Sequence, residues 1–178
     1  MLFSNPSLPL PLEKEGKEVN YVGRFAPSPT GPLHFGSLIT AVASYCDAKA
    51  HQGRWYVRIE DTDIPRIYPG SEEHILRSID AFELSPDSDI IFQKDRLDIY
   101  EDVIQQLHKK NMVYACQCTR KMLGSNHIYA GTCRDLALPF HDQAIRVKVS
   151  DHDICFQDHL QGQHCSNLKT DLGDFVLK

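Results

Sequence analysis

One segment governs the interpretation of this sequence: Arg24-Phe25-Ala26-Pro27-Ser28-Pro29-Thr30-Gly31-Pro32-Leu33-His34-Phe35-Gly36-Ser37. An apolar run from Val19 to Phe25 leads into it, and apolar residues with helical spacing follow it from Leu38 to Tyr45. The prolines and the glycine exclude regular structure between these two runs, because proline fixes φ and lacks a backbone donor. The sequence therefore predicts a strand, a stiff loop and a helix, in that order.

The start of the predicted helix is suited to an anion. Backbone N–H groups are unpaired at a helix N-terminus and the helix dipole is positive there, so a phosphate is the natural ligand. Gly36 would let a nucleotide lie against the backbone beside Ser37, and His34 would donate to phosphate oxygens as charge develops on them. The GxxxxGK[ST] and GxGxxG motifs are both absent. The alternative is a proline-rich loop that only caps a helix.

A second predicted strand begins at Arg54 and runs into an acidic loop. Its apolar residues alternate with polar ones up to Glu60. In open α/β sheets ligands bind beyond the carboxyl ends of the strands, where Arg24 and Glu60 would both lie. A cation and an anion together suit a zwitterion with a side-chain carboxylate, of which glutamate is the simplest. From the residues alone, a plain ion pair between Arg24 and Glu60 is an equal alternative.

Composition indicates an ordinary soluble globular chain. The chain has 178 residues, of which 42% are hydrophobic and 24% charged. Its formal net charge is -5, so the composition shows no excess of basic residues that would indicate binding to nucleic acid. No apolar run approaches the roughly 20 residues of a membrane span, and the N-terminus lacks the features of a secretion signal. We therefore expect a cytoplasmic protein without membrane contact. The proline-rich residues 1–20 are predicted to form a disordered or loosely packed arm.

Three of the six cysteines are grouped in a way that predicts a metal site. Cys116, Cys118 and Cys133 could converge on one Zn(II), since thiolates are good zinc ligands and tetrahedral structural sites take four donors. His127 is the usual chemical choice for the fourth donor. Ordinary reduced cysteines in a loop are the alternative. Without a secretion signal, free thiols or metal ligands are favoured over disulfides, and the scattered Cys46, Cys155 and Cys165 are predicted to be ordinary thiols.

Several motifs carry a resemblance to a known family. Arg-Phe-Ala-Pro-Ser-Pro-Thr-Gly followed by His-Phe-Gly-Ser closely resembles the first signature of the glutamyl-type class I aminoacyl-tRNA synthetases. Ser37 stands where the class shows a second histidine, a position at which glutamate-specific members vary. The segment Arg58–Asp63 also matches the family. The linker Ile64–Gly70 and the Cys-x-Cys, Tyr-x3-Cys pattern of 116–133 are similar to the short glutamyl-queuosine tRNA synthetases within it.

The resemblance implies a fold and a set of site residues. The fold is α/β, a Rossmann-like class I core in which a parallel sheet carries flanking helices and a small zinc-bearing insertion at about 111–150. The catalytic domain would occupy residues 21–178 and be incomplete. Arg24, Phe25, Ala26, Pro27, Ser28 and Glu60 would line the glutamate pocket. ATP would be faced by His34, Gly36 and Ser37, with His34 as the catalytic residue. Structural zinc would be bound by Cys116, Cys118, Tyr129 and Cys133, with Tyr129 preferred over His127.

The implied activity is that of an ATP-dependent ligase. Glutamate would be activated with ATP and Mg(II) to glutamyl-adenylate and transferred to the queuosine base in the anticodon of tRNA-Asp, by a monomeric enzyme. The family's second signature, a Lys-Met-Ser-Lys-Ser type loop, would lie beyond Lys178, so we expect that the chain is C-terminally truncated, and whether it catalyses as given stays open. The alternatives are an N-terminal fragment of an ordinary glutamyl-tRNA synthetase and a non-catalytic zinc-bearing RNA-binding module.

Overall fold

A computed structural model describes residues 21–123 and 128–178. The chain divides into two compact units, the first ending at Leu97 and the second comprising Asp98–Lys178. Each unit has its own buried apolar clusters. The predicted arm, residues 1–20, and the candidate zinc ligand His127 lie outside the described residues.

The first unit is built on a parallel sheet. Its strands are β1 (Val22–Phe25), β2 (Arg54–Ile59) and β3 (Ile91–Phe92), in the order β1-β2-β3. The helices are α1 (Phe35–Ala50), between β1 and β2, and α2 (Ser71–Ala81), between β2 and β3, with 3-10 turns at Ile64–Arg66 and Gln93–Arg96. The predicted order of strand, loop and helix around the first segment is confirmed.

Alternation along β2 explains how the sheet is covered. Trp55, Val57 and Ile59 are almost fully buried, while the residues between them are only partly covered. The helix α1 packs closely on this sheet, because a Cβ atom on Gly23 would come within 2.9 Å of the Ser44 carbonyl oxygen. This packing holds the C-terminal half of α1 against β1.

The second unit combines a short antiparallel sheet with a hairpin. Its elements are α3 (Leu97–Lys109), β4 (Val113–Cys116), α4 (Arg120–Leu123), β5 (Ala144–Val147), β6 (Asp153–Asp158), β7 (Gly162–Asn167) and α5 (Leu168–Asp171). β4 pairs with β5, and β6 pairs with β7. The predicted insertion at about 111–150 contains β4, α4 and β5, and its limits stay a prediction. None of the helices within the described ranges has the length and hydropathy of a bilayer-spanning segment.

The prediction that Cys155 and Cys165 are ordinary thiols was wrong. They form a disulfide, because they lie directly opposite each other in the β6–β7 ladder with a Cα–Cα distance of 4.1 Å. β7 reads Gly-Gln-His-Cys-Ser-Asn and lacks the apolar alternation that would reveal a strand. The pairing of the two cysteines therefore could not be predicted from the sequence. Cys46, Cys116, Cys118 and Cys133 are free.

Candidate active site and metal centre

Backbone hydrogen bonds hold the loop after β1 against the end of β2. The Glu60 N–H donates to the Pro27 carbonyl (2.9 Å), and the Tyr68 N–H donates to the Pro29 carbonyl (2.9 Å). Pro29 itself is almost fully buried. The stiffness expected from the prolines is thus reinforced by contacts with the segment that follows β2.

His34 is the N-cap of α1. Its Nδ1 accepts a hydrogen bond from the Ser37 backbone N–H (3.1 Å), and its Nε2 lies 3.0 Å from Ser37 Oγ. Because a backbone N–H can only donate, Nδ1 must carry the lone pair, and a neutral ring carries its proton on Nε2. A Cβ atom on Gly36 would lie 3.2 Å from two atoms of this ring. Ser37 therefore holds the imidazole and Gly36 leaves room for it, roles that the sequence did not indicate.

A cleft of about 550 Å³ opens beside this loop. Its lining is Arg24, Phe25, Ala26, Pro27, Ser28, Thr30, Gly31, Pro32, Leu33, His34, Ser37 and Thr40. All predicted glutamate and ATP residues except Glu60 and Gly36 are in this set. Arg24 is exposed there and forms no salt bridge or side-chain hydrogen bond with any residue in the described part of the chain. The cleft therefore holds an unpaired guanidinium next to the first turn of a helix.

Glu60 has a different partner from the one considered in the sequence. Its Oε1 accepts a short hydrogen bond from Nη2 of Arg58, which lies two residues earlier in β2, so the plain Arg24–Glu60 ion pair is not what forms. The Arg58 Nε and the Tyr56 hydroxyl are buried and have no hydrogen-bond partner among the described residues. Tyr56 is also the register partner of Arg24 on β1. The face of the sheet that carries Arg24 thus also carries unsatisfied polar groups.

Several residues near the site were not predicted to belong to it. Thr30, Gly31, Pro32 and Leu33 line the cleft as part of the proline-rich loop. Thr40 lines the cleft one turn after Ser37, on the same side of α1, and this helical spacing was the available signal. Arg58 stands two residues before Glu60, and its role as the ion-pair partner was not foreseen.

The second unit brings three thiols together. The Sγ atoms of Cys116, Cys118 and Cys133 all lie within 4.8 Å of one another, and Cys118 Sγ is 3.5 Å from Cys133 Sγ. The Tyr129 hydroxyl lies 3.3 Å from Cys116 Sγ and 3.5 Å from Cys118 Sγ. Cys116, Tyr129 and Cys133 belong to one buried cluster, and the partly buried Cys118 packs against it. The structure therefore groups the four donors that the resemblance implied.

These separations fit a tetrahedral metal site. A zinc ion with bonds of about 2.3 Å to sulfur would place its sulfur ligands about 3.8 Å apart, and a bond to oxygen is shorter. The observed separations of 3.3 and 3.5 Å around Tyr129 and of 3.5 Å between Cys118 and Cys133 are close to such edges. The residues present can thus hold zinc with only small shifts.

The groups of the cluster differ in how readily they ionise. Burial opposes ionisation of the Cys116 thiol, but hydrogen bonds from Tyr129, the Cys118 N–H and Arg146 outweigh burial and lower its pKa to about 7. Burial raises the pKa of Tyr129, and its hydrogen bonds to the cysteine sulfurs raise it further. Without a metal, the phenol therefore stays protonated beside a thiol that ionises readily. A hydrogen bond from Tyr129 lowers the pKa of Cys118, but burial and the neighbouring cysteine sulfurs outweigh it and raise that pKa. Metal binding requires deprotonated thiols, so the lowered pKa of Cys116 favours it, whereas Cys118 must lose its proton as the metal binds.

A buried hydrogen-bond network centred on Asp174 lies next to the thiol cluster. The Asp174 carboxylate accepts from Arg134 Nε (2.9 Å), the Tyr114 hydroxyl (2.6 Å) and the Val149 N–H (2.9 Å), and a short bond links it to Arg134 Nη2. Burial alone would raise the pKa of Asp174, but these bonds outweigh it and hold the pKa below its usual range. Arg146 donates from Nη1 to the Asp174 carbonyl (2.6 Å) and from Nε to Cys116 Sγ (3.2 Å). The network joins the thiol cluster to the end of the second unit.

Comparison with known proteins identifies the family. Residues 20–178 match the catalytic domain of the class I tRNA synthetases of the E and Q type. The chain belongs to this synthetase family. It is 77% identical over 158 residues to the glutamyl-Q tRNA(Asp) synthetase of Acinetobacter baylyi, covering 89% of this chain and 54% of that protein. The enzyme of the same name from Cupriavidus metallidurans is 47% identical over 171 residues, covering 89% and 55%.

Solved structures of glutamate tRNA ligases have the same fold as this chain. The crystal structure of a glutamate tRNA ligase from Elizabethkingia meningosepticum, in complex with its amino acid, superposes with a TM-score of 0.74 at 31% identity. The match covers 88% of this chain and 38% of that one. The predicted α/β class I synthetase core is confirmed, and class I synthetases use ATP with Mg²⁺. The chain spans about half the length of the curated relatives it matches.

Proposed function

We propose that this chain carries the glutamate-activating site of a synthetase that transfers glutamate to the queuosine base in the anticodon of tRNA-Asp. The observation that carries the proposal is the cleft of about 550 Å³. It is lined by the start of α1 and by Arg24, which has no ion-pair partner among the residues described. Its volume is in the range of small-molecule sites. The names of the Acinetobacter and Cupriavidus relatives support the choice of substrates.

Glutamate would bind where β1 meets the loop. Arg24 would form a charge-assisted bond to a glutamate carboxylate, and Phe25, Ala26, Pro27 and Ser28 would wall the pocket. Glu60 would accept from the ammonium group. Arg58 engages Oε1 of Glu60, and Oε2 has no hydrogen-bond partner within 21–123 and 128–178, which leaves it available for this bond. Arg58 would then hold the carboxylate in place while the second oxygen binds substrate.

ATP would bind at the first turn of α1. A glutamate carboxylate oxygen would attack the α-phosphate in line, forming glutamyl-adenylate and releasing pyrophosphate, without an enzyme nucleophile. The Nε2–H of His34 would exchange its contact with Ser37 Oγ for a phosphate oxygen as charge develops there, and Gly36 and Ser37 would lie beside it. Mg²⁺ brought by the nucleotide would neutralise part of the phosphate charge.

Zinc would have a structural role in the second unit. Cys116, Cys118, Tyr129 and Cys133 would hold it, and the binding free energy would stabilise the segment between β4 and β5. We place the protein in the cytoplasm as a monomer that does not contact membranes. Because its formal net charge is -5, contacts with tRNA-Asp would depend on local basic groups.

Calorimetric titration tests the proposal. The chain is titrated with glutamate and with ATP and Mg²⁺, and both are expected to bind. Arg24→Gln should weaken glutamate binding about tenfold or more, since a hydrogen bond to a charged group is worth about 1.5–3 kcal/mol. Arg77→Gln is the matched control, because Arg77 pairs with Glu73 on α2 and does not line the cleft. A silent titration with the wild-type chain would contradict the proposal and favour the non-catalytic module.

Pyrophosphate exchange separates the two enzymatic hypotheses. Enzymes that resemble the glutamyl-queuosine subfamily activate glutamate without tRNA, whereas ordinary glutamyl-tRNA synthetases generally require it. We expect glutamate-dependent exchange of pyrophosphate into ATP in the absence of tRNA. Exchange that begins only when tRNA-Glu is added would assign the chain to an ordinary glutamyl-tRNA synthetase instead.

A further inference from the structure

Arg146 occupies an unusual position for a charged side chain. It lies on β5 and is 7% exposed. Its guanidinium donates from Nε to Cys116 Sγ (3.2 Å) and from Nη1 to the Asp174 carbonyl (2.6 Å). Its central carbon lies 3.9 Å from the centre of the Tyr129 ring. Two of the four candidate zinc ligands are therefore in direct contact with one buried cation.

The positive charge of Arg146 lacks a carboxylate partner. It forms no salt bridge with any carboxylate of the residues that the structure describes, and the nearby Asp174 carboxylate is already paired with Arg134. Burying an unpaired charge is costly, so a charged side chain inside a protein normally has a compensating group. The groups that face the guanidinium are a cysteine sulfur, an aromatic face and a backbone carbonyl. Of these, only the sulfur can carry a full negative charge.

The charge of a filled metal site would supply the compensation. Three thiolates around one Zn²⁺ ion leave a net charge of -1 when Tyr129 is a neutral phenol, and one guanidinium cancels it. We propose that Arg146 is the counter-ion and positioning residue of the thiol cluster, fixing the Cys116 thiolate and the Tyr129 ring for the metal. This inference rests on the proposed zinc site. Arginine suits the task, because a planar guanidinium can reach two acceptors while its face stacks on a ring, and lysine cannot.

Metal titration of four proteins tests this role. Wild-type chain, Arg146→Met, Arg146→Lys and Lys148→Met are prepared metal-free and titrated with Zn²⁺ against a chelating indicator. They are also titrated with Co²⁺, whose thiolate charge-transfer absorption reports on the cysteine sulfurs. Lys148→Met is the matched control. It removes the same charge two residues along the chain, where the lysine contacts Asn111 (2.7 Å) and no sulfur.

We expect Arg146→Met to weaken metal binding by about 10- to 100-fold, the usual effect of removing a group that supports metal ligands. The cobalt–thiolate band should also shift, which a merely structural role would not cause. Arg146→Lys should recover part of the affinity because it restores the charge, and Lys148→Met should behave as the wild type.

The outcomes separate the inference from the zinc proposal beneath it. If the wild-type chain binds metal and Arg146→Met binds it with the same affinity and the same cobalt spectrum, the role of Arg146 is overturned and the zinc site still stands. A wild-type chain that binds neither metal would overturn both. If circular dichroism shows that Arg146→Met does not fold, Arg146→Lys decides: wild-type affinity together with a wild-type band would contradict the required geometry. Glutamate binding is measured separately and does not enter these outcomes.

Discussion

Replacing Asp174 by Asn should destabilise the second unit strongly. Oδ1 accepts from the Val149 N–H and from Arg134, while Oδ2 accepts from the Tyr114 hydroxyl and from Arg134. An asparagine must turn its NH₂ group towards one of these two pairs of donors. Either orientation leaves an N–H group of Arg134 facing another donor, and the side chain no longer carries the charge that pairs with the guanidinium.

The expected cost is about 3 kcal/mol. Removing one partner of a buried ion pair costs about 3–5 kcal/mol, and the lower end applies because the Arg134 side chain is 32% exposed and can regain water. The loss should depend on pH. The folded-state pKa of Asp174 is lowered, so its stabilisation is fully present above the unfolded pKa of about 3.9 and is lost as pH falls through the lower folded value. The difference between variant and wild type should therefore be constant from about pH 5 to 8 and shrink below about pH 4.

Urea unfolding followed by far-UV circular dichroism measures this effect. The single tryptophan, Trp55, lies in the first unit, so its fluorescence follows that unit separately. Asp151→Asn is the matched control, because the Asp151 side chain is 59% exposed and pairs with Lys169 at the surface. Such exposed pairs contribute about 0–1 kcal/mol. If Asp174→Asn shifted the midpoint no more than Asp151→Asn, the reasoning about the buried network would be refuted.

Three further changes have defined outcomes. His34→Ala should lower the rate of adenylate formation by about 100-fold, corresponding to about 3 kcal/mol, and should also destabilise α1 by about 1 kcal/mol. His34→Asn keeps an N-cap acceptor, so its rate of adenylate formation should fall as in His34→Ala while the stability of α1 stays at the wild-type level. An unchanged rate of pyrophosphate exchange in either variant argues against the role assigned to His34. Cys155 and Cys165 are 10 residues apart, so reducing their disulfide or replacing both by serine should lower the free energy of unfolding in urea by about 2.7 kcal/mol. A reductant should not change the stability of the serine variant. Elemental analysis should find about one zinc per chain, and a strong chelator should lower the unfolding midpoint of the second unit; a zinc content near zero would remove the metal proposal.

The parts of the fold that the sequence predicted are those with strong local patterns. Alternation in β2 and the proline-rich segment before α1 identify the parallel core, and the spacing of Cys116, Cys118 and Cys133 identifies the thiol cluster. β7 escaped prediction because its side chains are polar, and with it the disulfide was missed.

The missing parts of the site depend on contacts between distant residues. Arg146 meets Cys116 only because β5 pairs with β4, and Asp174 meets Arg134 only because the last residues return beside the cluster. The Glu60 partner was missed for a different reason. Arg24 and Arg58 share one face of the sheet with Glu60, and the pattern of residues cannot decide which arginine lies closer.

The close approach of Tyr129 and Gly173 has a consequence for protein synthesis. The two residues form a β-bridge, and a Cβ atom on Gly173 would come within 2.4 Å of the Tyr129 carbonyl oxygen. On the ribosome, the thiols emerge before this glycine and before Asp174. At about 5–20 residues per second, Cys133 waits for roughly 2–8 seconds and Cys116 for roughly 3–12 seconds before Asp174 is synthesised. During that interval the nascent chain exposes its thiols to oxidants and to competing metal ions.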